Sequence, residues 1–147
     1  MTRQDVTAKI VAAKVSKGIK WAEAAKLIGL SKEFCTTVLL GQGVLTPEEA
    51  KKAGELFGLT AEEAKWLTVV PYRGALGQTV PTDALLYRFY EIIQVNGPAI
   101  KALIEEEFGD GIMSAIDFTL DVQRQADPKG DRVVVTLNGK FLGYKRT

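Results

Sequence analysis

The sequence predicts an α+β chain, mostly helical, in which an N-terminal helical bundle is followed by a smaller C-terminal part that mixes helices and strands. Three observations predict it. Apolar residues in the first half recur at helical spacing between hydroxyl starts and glycine stops; prolines and glycines crowd one central stretch; and past residue 115 the apolar period drops from about 3.6 to about 2. The chain has 147 residues, enough for one domain or two small ones. Apolar residues make up 46% and charged residues 25%, the proportions of a globular protein rather than a disordered one.

The elements follow in order. From Gln4 to Val15, the residues Val6, Ile10, Val11 and Val15 are read as one helical stripe that Gly18 ends. Trp21 to Ile28 forms a second helix with Gly29 as its turn, and Ser31 caps a third that runs to about Leu40 before Gly41 and Gly43. Thr46-Pro47-Glu48-Glu49 and Thr60-Ala61-Glu62-Glu63 each place a hydroxyl at the N-cap and a carboxylate three residues on, so each opens a helix. Pro47 takes the first helical position, where its missing N–H costs nothing, and Gly58 closes that helix.

Pro71 to Pro81 has two prolines, two glycines and no helical period, and reads as a linker between two bodies. Charge agrees with the division: residues 1–80 hold 11 basic and 8 acidic residues, net +3, and residues 81–147 hold 8 and 10, net −2. Beyond it, Leu85, Leu86, Phe89, Ile92 and Ile93 form a helix ending near Gly97, and Pro98 opens another that carries Ile100, Leu103, Ile104 and Phe108 to Gly109. Ile116, Phe118, Leu120 and Val122 alternate with polar residues as a half-buried strand. A turn at Asp127 to Gly130 leads to a strand from Arg132 to Leu137, and Asn138-Gly139 predicts a hairpin returning through Lys140 to Leu142. So short a sheet is marginal alone and needs a cover for its apolar face.

Composition excludes several chemistries. With no histidine, the Ser-His-Asp and Cys-His systems and imidazole metal sites are closed. Cys35 alone forms neither an internal disulfide nor a thiolate cage, has no histidine base, and reads as a small core residue of a reducing compartment. Charges at Arg3, Asp5, Lys9 and Lys14 break any signal-like apolar run, and no apolar stretch approaches a membrane span, so the cytoplasm is the expected location. A net charge of +1 gives no strong field for nucleic acid. Helix, glycine turn and helix across Trp21 to Leu40 resemble a helix-turn-helix within a lambda-repressor-type bundle. Its second helix offers only Lys32 as a base reader, so nucleic acid is not expected as a partner.

Two places carry possible chemistry. Arg88 and Glu91, three apart, share a helix face beside the apolar stripe; by spacing alone they are a surface pair or part of a site. Gly109 to Ile116 puts the Ser114 hydroxyl on a glycine-flanked loop just before a strand, either a place for close approach to something small or an ordinary turn. Glu105 to Glu107 point in successive directions around a helix, so no metal is expected there.

The run PTDALLYRFYEIIQVNG and the following KALIEEEFGDGIMSAIDFTLDV resemble the cyanase family, also called cyanate hydratase or cyanate lyase. ADPKGDRVVVTLNGK, the PxRG element at Pro71 to Gly74 and LLGQ at Leu39 to Gln42 agree with it, so the resemblance covers essentially the whole chain. It implies an enzyme that turns cyanate and bicarbonate into carbon dioxide and carbamate, which then falls apart to ammonia and carbon dioxide. Bicarbonate acts as co-substrate, and no metal or organic cofactor takes part. The resemblance puts the catalytic residues at Arg88, Glu91 and Ser114. It implies a helical bundle without DNA function over residues 1–75 and a catalytic, dimerising part over 76–147. Intertwined dimers then form a homodecamer with active sites between subunits. A helix-turn-helix regulator and a purely structural oligomerisation module are the competing readings. The poverty of base readers counts against the first, and the matched Arg88, Glu91 and Ser114 against the second.

Overall fold

A computed structural model describes residues 1–74 and 79–146, and divides the chain into two compact units, Met1–Ala75 and Leu76–Thr147. The first is all helical: α1 (Arg3–Lys17), α2 (Trp21–Ile28), α3 (Lys32–Thr37), α4 (Pro47–Phe57) and α5 (Ala61–Lys65). Its starts are fixed locally. The hydroxyls of Thr2, Thr46 and Thr60 accept from the N–H groups of Asp5, Glu49 and Glu63, and those three carboxylates accept in return from the cap N–H groups. Ser31 Oγ accepts from Phe34 N–H at 3.2 Å to open α3.

After α3 the chain kinks within Val38–Gln42, where Gly41 takes a non-helical φ of 93° that side chains rarely adopt. The core lies between these helices and includes Ile10, Ile28, Cys35, Leu39, Phe57 and Leu67. Of the stripe expected on α1, Val6 and Ile10 are buried, but Val11 and Val15 are exposed, since their azimuths carry them to the outer side. Arg3 ties the bundle by donating to the carbonyls of Trp66 at 3.0 Å and Val38 at 2.6 Å. Gln42 Oε1 accepts from Gly74 N–H at 2.8 Å, bringing the LLGQ and PYRG elements together. The middle of the expected linker, residues 75–78, lies outside the described residues.

The second unit comprises α6 (Ala84–Phe108), β1 (Gly111–Gln125) and β2 (Arg132–Gly143). Where two helices were expected, α6 is a single helix of 25 residues with Pro98 inside it. Pro98 removes one N–H from the ladder without ending it. The apolar period stays in phase across it: Leu85, Phe89 and Ile92 continue into Ile100 and Leu103 on one side, so a single helix keeps one apolar face.

The strands form one antiparallel pair. The turn is where the sequence put it: Gly130 N–H donates to Asp127 O at 3.0 Å, Lys129 N–H donates to Asp127 Oδ1 at 2.8 Å, and Gly130 takes a φ of 122°. The hairpin expected at Asn138-Gly139 is absent. Both residues sit within β2, paired with Thr119 and Phe118. β2 already has its partner through the Asp127 turn, and the ladder carries straight through the pair. The ladder breaks on β1 instead: Met113 faces Phe141 and Phe118 faces Gly139, so the four residues Ser114 to Asp117 stand opposite Lys140 alone. Ile116, expected on the inner face, rides on this bulge and is 98% exposed, because the extra residues break the two-residue phase.

Candidate active site

α6 begins on a built cap. Asp83 Oδ1 accepts from the backbone N–H groups of Leu85 and Leu86, at 3.0 Å each, which sets the first turn. Arg88 and Glu91 come next, on one face, and Arg88 Nη1 donates to Glu91 Oε2 at 3.1 Å. The guanidinium carbon also lies 5.7 Å from the centre of the Tyr87 ring, within cation–π range. The two side chains are 66% and 51% exposed, and a pair so open to water adds about 0–1 kcal/mol to folding. Its chemical content is the rest of the fork. A guanidinium has five N–H donors, and the others have no protein partner among the described residues, leaving a planar array suited to a carboxylate-like anion.

Ser114 stands within β1 and not on a loop before it, because pairing begins already at Gly111. It is 6% exposed, the one buried residue among those described in the second unit. Its Oγ accepts from Ile116 N–H at 3.1 Å and Asp117 N–H at 2.9 Å. A hydroxyl oxygen has two lone pairs, so both are engaged and the group's free capacity is its own hydrogen. The bulge therefore makes Ser114 a hydrogen-bond donor. No signal at Ser114 itself announces this; the four-against-one mismatch appears only once the register is known.

The structure joins Arg88 to Glu91, but no hydrogen bond or ion pair among the described residues joins either to Ser114. Distance within the chain explains it. Met113 and Gly139 line a cavity of about 340 Å³ together with Ile104 and Phe108, and the Phe108 and Phe141 rings stack at 5.1 Å, so Ser114 belongs to the C-terminal end of α6. Arg88 lies twenty residues before Phe108, about 30 Å at 1.5 Å per residue. Arg88 and Ser114 thus sit towards opposite ends of one helix.

Among the described residues, the other groups singled out by the sequence offer less. Cys35 is fully buried, and burial, then the charge of Glu49, pushes its thiol up to about 11. Lys32, at the helix-turn-helix position, is paired with Glu33 at 2.6 Å. Among the described residues, no group of three or more Cys, Asp or Glu side chains is placed to hold a metal, and no helix is long and apolar enough to cross a membrane.

Comparison with known proteins accounts for both units. The family model described as "Cyanate hydratase, N-terminal" matches residues 3–71, and that described as "Cyanate lyase C-terminal domain" matches residues 78–146. The chain is 65% identical over 145 residues to a cyanate hydratase of Variovorax paradoxus, with 99% of each chain covered. It is 62% identical over 146 residues to a cyanate hydratase of Albidiferax ferrireducens, again with 99% of each covered. Its fold superposes on the crystal structure of cyanase from T. urticae with a TM-score of 0.80 at 38% identity, covering 94% of this chain and 96% of that one. Both halves, their order and their fold thus agree end to end, and the chain belongs to the cyanate hydratase family of lyases.

Proposed function

We propose that the chain catalyses the bicarbonate-dependent decomposition of cyanate at a site that takes Arg88 and Glu91 from one copy and Ser114 from another. The end-to-end likeness to cyanate hydratases carries the substrate. The separation of Arg88 and Ser114 along α6 supports the shared site. Bicarbonate adds through oxygen to the cyanate carbon, the nitrogen takes a proton, and loss of carbon dioxide leaves carbamate. A second proton releases ammonia and another carbon dioxide, so two protons are consumed in all.

Two small anions repel each other, so the first requirement is fixed positive charge with directed donors, in a place that water does not screen. Arg88 supplies the charge and the fork. In a single copy it is too exposed for full effect, and a second copy laid over α6 would lower the local dielectric and strengthen it. Ser114 donates its hydrogen to a substrate anion or to the charge developing on it. Glu91 attracts no anion; its carboxylate holds the Arg88 fork in place and is the nearest group to handle a proton.

The uncovered surface of the second unit favours assembly. Among the described residues, α6 has no buried residue, and Leu85, Ile92, Ile93, Leu103 and Phe108 are exposed. Homodimers closed through α6 and the hairpin, assembled further into a homodecamer, would cover that face. The reading includes no metal or organic cofactor, no nucleic acid and a cytoplasmic location. The pairing of Lys32 with Glu33 and the free, buried state of Cys35 fit those last two. The test is ammonia release from cyanate by chelator-treated protein, with and without bicarbonate. Turnover should survive chelation and stop when bicarbonate is rigorously removed; a full rate without bicarbonate would refute the mechanism.

A further inference from the structure

We infer that Gly139 is a positioning residue for the reaction, acting through Ser114. It rests on the proposed role of Ser114. The inference starts from a clash that does not occur because residue 139 has no side chain. A Cβ built on Gly139 would come well inside van der Waals contact of the carbonyl oxygen of Ser114, and 2.6 Å from Met113 Cγ. The thioether is flexible and can move; the carbonyl belongs to the backbone and cannot move alone.

That carbonyl belongs to the peptide joining Ser114 to Ala115, the first peptide of the bulge. Pushing it outward turns the same peptide plane that sets Ser114 Oγ against the N–H groups of Ile116 and Asp117. Those two bonds aim the serine hydrogen. Gly139 holds the pairing position at one edge of the bulge, against Phe118, and no unusual φ accounts for a glycine there. The requirement is for space beside Ser114. The pair Asn138-Gly139, which looks like a hairpin turn in the sequence, thus has a different use. Its glycine lets β2 approach closely where β1 carries the serine.

The test is a double-mutant cycle of G139A and S114A, read as cyanate turnover on protein whose assembly matches the parent by sedimentation. If Gly139 acts through Ser114, G139A alone loses on the order of tenfold activity or more, as a displaced catalytic group does. In the S114A background the same change then alters activity by less than about twofold. A purely structural glycine would give the same loss in both backgrounds, and that result, or parental activity for G139A, overturns the inference. Should G139A not assemble, G139A/M113A removes the thioether half of the clash and keeps the carbonyl half. It should assemble and show the same coupling to S114A; failure of both to assemble makes Gly139 a folding residue and overturns the inference as well. Parental activity in S114A alone would instead sink the role proposed for Ser114, which separates the two failures.

Discussion

Held at 3.1 Å but half in solvent, the Arg88–Glu91 pair contributes so little to folding that its worth has to be read in turnover. Arg88→Lys keeps the charge and replaces the planar fork with a point donor. It should lose most activity while the assembly stays parental by sedimentation. Ser114→Ala removes one aimed donor, a loss on the order of 3 kcal/mol, or about a hundredfold, in comparable sites. Glu91→Gln keeps the shape and removes the charge, so a fall in rate there separates electrostatic need from packing. If all three are nearly silent in steady-state assays, the pair is a surface contact and the serine a bulge residue. Cys35 gives a prediction of the opposite kind. Its thiol stays neutral in the fold up to about 11, whereas in the unfolded chain it ionises near 9.0. The stability linked to it is therefore intact below about pH 9 and falls as pH rises towards and through 11. Native protein at pH 8 should resist alkylation that labels it once unfolded; full labelling of the native form would contradict the buried, neutral thiol.

Among the elements, those specified by a few adjacent residues were legible and those set by distant ones were not. The capping boxes at Thr46 and Thr60 and the Asx turn at Asp127 are written within four or five residues, and they stand where the sequence put them. Pro98 and Gly139 misled because each carries a strong local meaning that the fold overrides. α6 continues through Pro98 because one apolar face runs unbroken across it, and β2 continues through Gly139 because β1 pairs with it on both sides of that residue. The phase of the apolar stripe across Pro98 was a usable signal for the first; nothing short of the β1–β2 register reveals the second. The residues proposed for the site, Arg88, Glu91 and Ser114, came from the family resemblance, but the bulge that leaves Ser114 only its hydrogen to offer was not legible. Continuity of α6 makes its own prediction. Pro98→Ala restores one ladder N–H in a helix interior, where proline costs about 3 kcal/mol relative to alanine. It should raise the thermal midpoint of the assembled protein, measured by calorimetry. No change would mean that the helix is interrupted at Pro98 in solution.

As a molecule, one copy is two unequal things. The first unit closes a core of its own around Ile10, Leu39 and Phe57, whereas the second, among its described residues, buries only Ser114 and leaves the apolar side chains of α6 in water. The expense of that exposure is why a lone chain should be rare: sedimentation at micromolar concentration should find assemblies and no stable monomer. The same incompleteness would divide the proposed chemistry, with Arg88 near one end of α6 and Ser114 near the other. The sharpest measurement mixes two inactive proteins. Arg88→Lys and Ser114→Ala chains are unfolded, combined in equal amounts, refolded together and assayed for cyanate turnover beside each variant refolded alone. If each site draws Arg88 from one copy and Ser114 from another, random association gives about one site in four with both native residues, and activity returns to about a quarter of parental. If mixed assemblies form, as sedimentation of differently tagged chains would establish, and activity stays at the level of the separate variants, the site is not shared between copies.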